Sequence, residues 1–215
     1  MQGILFTEPM YKAIIELEKY QTRRIIKIPK GAFGIQISKN NVGKITGVYA
    51  YDGNESTIKP NTDDEWLIKP RYKVGETAYL KEPYIDDISM EEIFYKFKEE
   101  DLQVAQDCGF DHGWKNKMFM PESCARNFIK FTNIKRERLH DISESDCIAE
   151  GIFPMVDPIG IPGFGYDHKD KNFMWSTAKQ AYQSLWCKIN GIESWNANPF
   201  VYVYDFDLVI QSVKS

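Results

Sequence analysis

Apolar and polar positions alternate most regularly near the C-terminal end, where Val201, Val203 and Asp205 interleave with Tyr202, Tyr204 and Phe206. A period of two sends successive side chains to opposite faces, so residues 200–210 read as a strand. Similar patterning marks Gly3–Phe6, Trp66–Lys69, Thr77–Lys81 and Phe128–Lys135 as strands, and residues 33–51 as a hairpin turning at Asn40-Asn41-Val42-Gly43. A helical period runs through Glu8–Lys19, where Met10, Ala13, Ile14 and Leu17 share a face and Pro9 occupies the first turn. Thr177–Ile189 is a second helix, with Ala178, Ala181, Tyr182, Leu185, Trp186 and Ile189 on its apolar face. Ser143 is placed to cap a short helix ending at Gly151, and the acidic stretch 86–106 also reads as helical. Residues 153–173 carry Pro154, Pro158, Pro162, Gly160, Gly163 and Gly165, which predicts a long loop acting as a lid. Strands outnumber helices and lie at both ends of the chain, so the expected class is α+β, built on a small barrel.

Composition supports a folded chain: of 215 residues, 43% are hydrophobic and 27% charged, enough for one domain spanning 1–215 with a core of its own. No apolar run reaches the length of a membrane span, and the first twenty residues include Glu8, Lys12, Glu16, Glu18 and Lys19, so neither a signal peptide nor a membrane helix is expected. Cys108, Cys124, Cys147 and Cys187 lie far apart, a pattern of reduced thiols in a cytoplasm. The net charge of −4 hides local segregation. Lys19, Arg23, Arg24, Lys27 and Lys30 form one basic segment and Arg126, Lys130, Lys135, Arg136 and Arg138 another, while acids gather at 86–101. Two such segments suit one positive face toward a phosphate-bearing ligand, or simply two solvated faces.

The segment Lys19-Tyr20-Gln21-Thr22-Arg23-Arg24 carries the candidate chemistry. A desolvated lysine beside a threonine hydroxyl can take its proton, and Arg24 adds an anion contact; the plain alternative is a solvent-facing helix end. Cys108 and His112 stand four apart as metal ligands can, but no second close pair accompanies them, so neither a metal nor a cofactor is expected. Gly163-Phe164-Gly165 lacks the strand–turn–helix context of a phosphate cradle.

Several segments together resemble the ASCH-domain family, a PUA-like barrel group, and most of all its phage and prophage members. They are Leu5-Phe6-Thr7-Glu8-Pro9-Met10, Gln21-Thr22-Arg23-Arg24, Val74 to Pro83, Met120-Pro121, Arg136 to Ser143, Ala149 to Ile152, Leu185-Trp186, Ile189-Asn190-Gly191 and Trp195 to Phe200. The resemblance implies a mixed β-barrel with helices at its rim and cap segments inserted at about 25–65, 85–118 and 153–175. It also implies a pocket for a modified nucleobase or nucleoside, offered free or within single-stranded nucleic acid, RNA foremost. Some small members are amidohydrolases that remove the acetyl group of N4-acetylcytidine. Their lysine, threonine and glutamate match Lys19, Thr22 and Glu150, and their arginine matches Arg24. Where the family has glycine two residues before the lysine, this chain has Leu17. Further ligand contacts are expected from Arg23, Glu82, Arg126 and Trp195. Glu82 suits either a base amino group or a rim salt bridge with Arg24 or Lys19; Arg126, a phosphate or surface packing; Trp195, base stacking or the core. Two functions stay open: a binding module for a nucleobase, and an amidohydrolase with Lys19 as base, Thr22 as nucleophile and Glu150 assisting water.

Overall fold

A computed structural model describes residues 1–30, 32, 34–51, 67–87, 92–109, 113–157, 159–169 and 174–210. The chain is α+β, with most of its core on a sheet. That sheet contains five strands, β1 (Gln2–Leu5), β2 (Gln21–Ile25), β5 (Thr77–Lys81), β8 (Phe128–Arg138) and β11 (Phe200–Val209), in the order β1-β5-β8-β11-β2. Between them in sequence lie β3 (Gly34–Lys39), β4 (Ile45–Tyr51), β6 (Tyr84–Asp87), β7 (Glu92–Tyr95), β9 (Phe153–Val156) and β10 (Pro162–Gly165), which form three hairpins. Helices are α1 (Glu8–Ile15), α2 (Glu99–Asp107), α3 (Glu144–Ala149), α4 (Ala178–Asn190) and α5 (Ile192–Asn196). No helix among the described residues is long and apolar enough to cross a membrane.

The sheet is mixed: β1 runs parallel to β5 and the other neighbours are antiparallel. Among the described residues no strand pairing closes it into the expected barrel, and β1 and β2 remain its edges. Side chains stitch those edges together. Gly3 O accepts from Tyr72 O–H at 3.2 Å, and Leu5 O accepts from Arg24 Nη2 at 2.8 Å, so a side chain of one edge strand reaches the backbone of the other. The sheet is therefore strongly curled. Its concave face holds an aromatic core in which Phe131 meets Tyr72 (4.5 Å), Tyr204 (5.4 Å) and Phe206 (6.5 Å) and Phe6 meets Phe206 (6.2 Å). Burying each such ring contributes about 1.5–3 kcal/mol.

Of the hairpin expected at 33–51, β3 and β4 pair antiparallel as expected, and residue 33 lies outside the described residues. Asn40 Oδ1 accepts from the backbone N–H of Val42 and Lys44, and Gly43 takes φ 80°. Ser143 caps α3 by accepting from Asp146 N–H. Three expectations need correction. The stretch 86–106 is not one helix: β6 and β7 pair, with Ile85 and Phe94 packed on Ala105 of α2 and Tyr84 on Met120 and Cys124. Its aromatic and β-branched residues, alternating to two apolar clusters, outweigh the helix-forming acids; residues 88–91 lie outside the described residues. The stretch 153–173 contains the β9–β10 hairpin, because Pro154 and Pro162 fall where a backbone N–H would point away from the β9–β10 ladder, the outer side on which Phe164 bridges Trp175, and because Asp157 Oδ1 accepts from Ile159 and Ile161 N–H to shape the turn. Of the strand expected at Trp66–Lys69, Trp66 lies outside the described residues and Leu67 makes a single bridge to Tyr49.

Candidate functional site

Lys19 is placed by how α1 ends. The helix stops at Ile15, four residues earlier than its apolar period suggests. Leu17 then takes φ 62°, and three backbone bonds close the end: Leu17 N–H to Ile14 O (3.2 Å), Glu18 N–H to Ala13 O (2.8 Å) and Lys19 N–H to Ala13 O (3.0 Å). This left-handed terminus usually employs glycine. Lys19 next forms an antiparallel bridge with Glu150, and Tyr20 N–H donates to Ala149 O. The opposing Gly151 has φ 91°, a conformation that favours glycine, and a Cβ there would come within 3.2 Å of the Lys19 Cβ, a tight approach.

The Lys19 ammonium has three N–H groups and three acceptors: Gln21 O at 2.8 Å, Glu150 O at 2.7 Å and Glu150 Oε2 at 2.6 Å. Lys19 is 3% exposed and Glu150 4%. Burial pushes the Lys19 pKa below its ordinary value; Glu150 opposes this, while Arg24 and Arg23 add to it.

Strand parity separates the basic residues that follow. Thr22 and Arg24 lie opposite Tyr204 and Tyr202 of β11 and share their concave face, whereas Arg23 lies opposite Val203 on the other face, under α3. There Arg23 meets Glu137 Oε1 (2.7 Å), Asp146 Oδ2 (3.1 Å) and Glu150 Oε1 (3.2 Å), with its side chain fully buried. Burial lowers its pKa, but Glu150, with Tyr182 and Glu137, outweighs burial and raises it. At Asp146, burial pushes the carboxyl upward, but Lys135 and Arg23 outweigh it and hold it below its ordinary value. Arg23 is thus committed to a structural ion network, although its Glu150 contact ties that network to Lys19. Arg24 is different. It donates to Leu5 O, lies 5.1 Å from the Phe6 ring centroid and has no carboxylate partner among the described residues. Burial lowers its pKa. Thr22 is 4% exposed.

Glu82 and Arg126 form a second cluster. Glu82, fully buried just after β5, pairs with Arg126 rather than with Arg24 or Lys19. The pair is bidentate, Nε to Oε1 at 2.8 Å and Nη2 to Oε2 at 3.0 Å, and Arg126 also covers the Tyr95 ring at 4.7 Å. Tyr11 O–H donates to Glu82 Oε1, and Asn127 Nδ2 donates to the Tyr11 oxygen at 2.7 Å. Burial, with Glu82 adding to it, pushes the Tyr11 phenol well up. Trp195 is buried beside His140 and Tyr182, where its carbonyl is bonded to His140 Nε2.

Cys108 is exposed, and His112, four residues on, lies outside the described residues. Donor atoms of Glu16, Glu18 and His168 lie within 4.8 Å of one another at the surface, where His168 Nε2 and Glu18 Oε2 are 2.8 Å apart. An ordinary imidazole–carboxylate pair accounts for that arrangement.

The residues missed in the sequence are Gln21, Glu137, Asp146 and Tyr11. Only Asp146 carried a signal, its i,i+4 spacing with Glu150 at the end of α3. No known family model, curated protein or solved structure matches this chain.

Proposed function

We propose that the protein binds a nucleobase or nucleoside at the β2 edge, with Thr22, Arg24 and the Lys19–Glu150 pair as its polar contacts. The observation carrying this reading is the Arg24 guanidinium on the concave face, held by Leu5 O and the Phe6 ring with no carboxylate partner among the described residues, on the same face as the nearly buried Thr22. A threonine hydroxyl and a guanidinium side by side offer a donor–acceptor and a cation to a ligand. The resemblance to ASCH domains supplies the ligand class. Arg23 is removed from the set of ligand contacts by its three carboxylates.

The 2.6 Å contact between Lys19 and Glu150 favours a second reading, amide hydrolysis of an N4-acetylcytidine-type nucleoside. In this reaction neutral Lys19 takes the Thr22 hydroxyl proton as the oxygen attacks the acetyl carbonyl, and Arg24 stabilises the oxyanion. Collapse breaks the C–N bond, Lys19 returns the proton to the departing amine, and an acetyl ester remains on Thr22. Water, deprotonated with help from Glu150, hydrolyses the ester to acetate and free threonine.

Incubation with N4-acetylcytidine, followed by acetate release and by calorimetric binding, tests both readings. Turnover lost in Thr22→Ala and Lys19→Ala supports hydrolysis; binding without turnover leaves the module; neither binding nor turnover across a panel of acylated nucleosides refutes both.

A further inference from the structure

Strands β2 and β8 carry cations on both faces of the sheet, and the two faces treat them differently. Arg23 and Lys135 both lie opposite Val203 of β11, on the face under α3. Carboxylates meet them there: Glu137, Asp146 and Glu150 for Arg23, and Glu137 (3.4 Å) and Asp146 (3.3 Å) for Lys135. Arg24, Arg136 and Arg138 take the concave face, where the first two flank Tyr202 and the third lies opposite Phe200. Rings and main-chain carbonyls hold these three. Arg24 sits over Phe6 and donates to Leu5 O, as described above. Arg136 lies 5.4 Å from the Tyr202 centroid and donates from Nη1 to Thr46 O (3.2 Å). Arg138 lies 3.7 Å from the Phe200 centroid and donates from Nη1 to Asn198 O (3.0 Å). None of the three has a carboxylate partner among the described residues.

A ring and a carbonyl orient a guanidinium without neutralising it. Arg136 and Arg138 stand two residues apart on one face of β8, about 7 Å along the strand. Arg138 is exposed, and the Arg136 Nε–H is buried with no acceptor, so the donors of both exceed what the protein uses. Glu137, between them in sequence, projects to the other face and engages Arg23 and Lys135. The row beside Arg24, Tyr202 and Arg136 is Thr22, Tyr204 and Ile134, so the arginines adjoin the proposed base contacts. Two oriented cations in file along a strand, next to a base site, match anions at regular spacing attached to that base, which are phosphodiesters.

We propose that Arg136 and Arg138 hold the phosphodiester backbone of a single-stranded nucleic acid, one base of which enters the Thr22–Arg24 site. The inference rests on the function proposed above and narrows its ligand from a free nucleoside to a polymer.

Fluorescence anisotropy with labelled hexacytidylate carrying one N4-acetylcytidine, beside calorimetry with N4-acetylcytidine itself, tests the inference between about 50 and 200 mM salt. At the lower salt the hexanucleotide is expected to bind at least about tenfold more tightly than the nucleoside, with log K falling linearly against log salt. Arg136→Gln and Arg138→Gln should each weaken the hexanucleotide about fivefold and make that slope shallower by about 0.7, with nucleoside binding unchanged within about twofold. Arg138→Lys, which keeps the charge, should restore the slope. Circular dichroism checks each fold, and the exposed Arg138 gives a variant independent of packing at Arg136. Hexanucleotide binding that is absent, no tighter than the nucleoside's, or unchanged in salt slope in Arg138→Gln overturns the inference; if the nucleoside still binds, the base site survives that result. Slopes lowered in both arginine variants while Thr22→Ala weakens neither probe support the phosphate contacts and refute the base site. Binding of hexaglutamate as tight as that of the hexanucleotide overturns the assignment to nucleic acid.

Discussion

Glu150 holds two buried cations at once, and removing its charge has a calculable consequence. Oε2 lies 2.6 Å from Lys19 Nζ and Oε1 lies 3.2 Å from Arg23 Nη1. Arg23 keeps Glu137 and Asp146, but Lys19 would keep only two backbone carbonyls. Breaking one side of a buried pair costs about 3–5 kcal/mol, a large part of the roughly 5–15 kcal/mol that stabilises a typical domain. Glu150→Ala is therefore expected to lose about that much in urea denaturation followed by tryptophan fluorescence. Glu150→Gln keeps the volume and an acceptor oxygen, so its loss should be smaller but pH-dependent. Burial already holds the folded Lys19 pKa below its unfolded value, and Glu150 is the principal influence raising it. Without that charge the folded pKa falls further. Between the folded and unfolded pKa values the unfolded chain binds more protons, so stability rises with pH, by at most about 1.4 kcal/mol per unit for one proton. The deficit of Glu150→Gln relative to the parent should thus be largest near neutrality and shrink as pH rises toward the parent's folded Lys19 pKa, groups common to both proteins cancelling in the difference. A deficit independent of pH from 7 to 10, or a Glu150→Ala loss under about 1 kcal/mol, would refute the reasoning.

Leu17 is 65% exposed and sits at φ 62°, so Leu17→Gly removes a left-handed penalty of about 1–2 kcal/mol and returns about 0.5–1 kcal/mol as unfolded-state entropy. The variant should melt about 1–4 °C higher by calorimetry, and a lower Tm refutes the strain. Arg126→Ala leaves the Glu82 carboxylate buried against Tyr11 alone and should cost about 3 kcal/mol in the same urea assay. A loss under about 1 kcal/mol there would mean that the bidentate pair is no better than an exposed one.

How far the sequence reached depends on the range of the physics involved. The 33–51 hairpin, the Ser143 cap, α4 and β11 were legible because periodicity, turn chemistry and capping act within a few residues of themselves. The α3 end at Gly151 was legible for the same reason. Glu82 and Arg126 are 44 residues apart, and their pairing depends on β5 and β8 lying side by side, which no local pattern encodes. The 153–173 stretch was misjudged because proline and glycine were counted without asking which way a backbone N–H at each proline would point.

The basic run at 19–24 shows why a candidate site needs register as well as composition. Read as a charge cluster, Arg23 and Arg24 are equivalent. Once β2 begins at Gln21, their alternation is fixed, and the register against β11 decides which arginine meets the acids of α3 and β8 and which faces Leu5 O and Phe6. Lys19 precedes the strand, and its position depends on the tight end of α1 rather than on alternation. That end forms without its usual glycine because three backbone hydrogen bonds, each worth about 0.5–1.5 kcal/mol, outweigh the penalty at Leu17. The same balance constrains chemistry. All three Lys19 N–H groups are engaged, and two of the acceptors are backbone carbonyls. The acceptor a ligand can displace is then the Glu150 carboxylate, whose side chain alone can turn away. A change at Glu150 should consequently alter ligand binding and the state of Lys19 together, whereas a change at Thr22, which bonds to neither, should alter the first without the second.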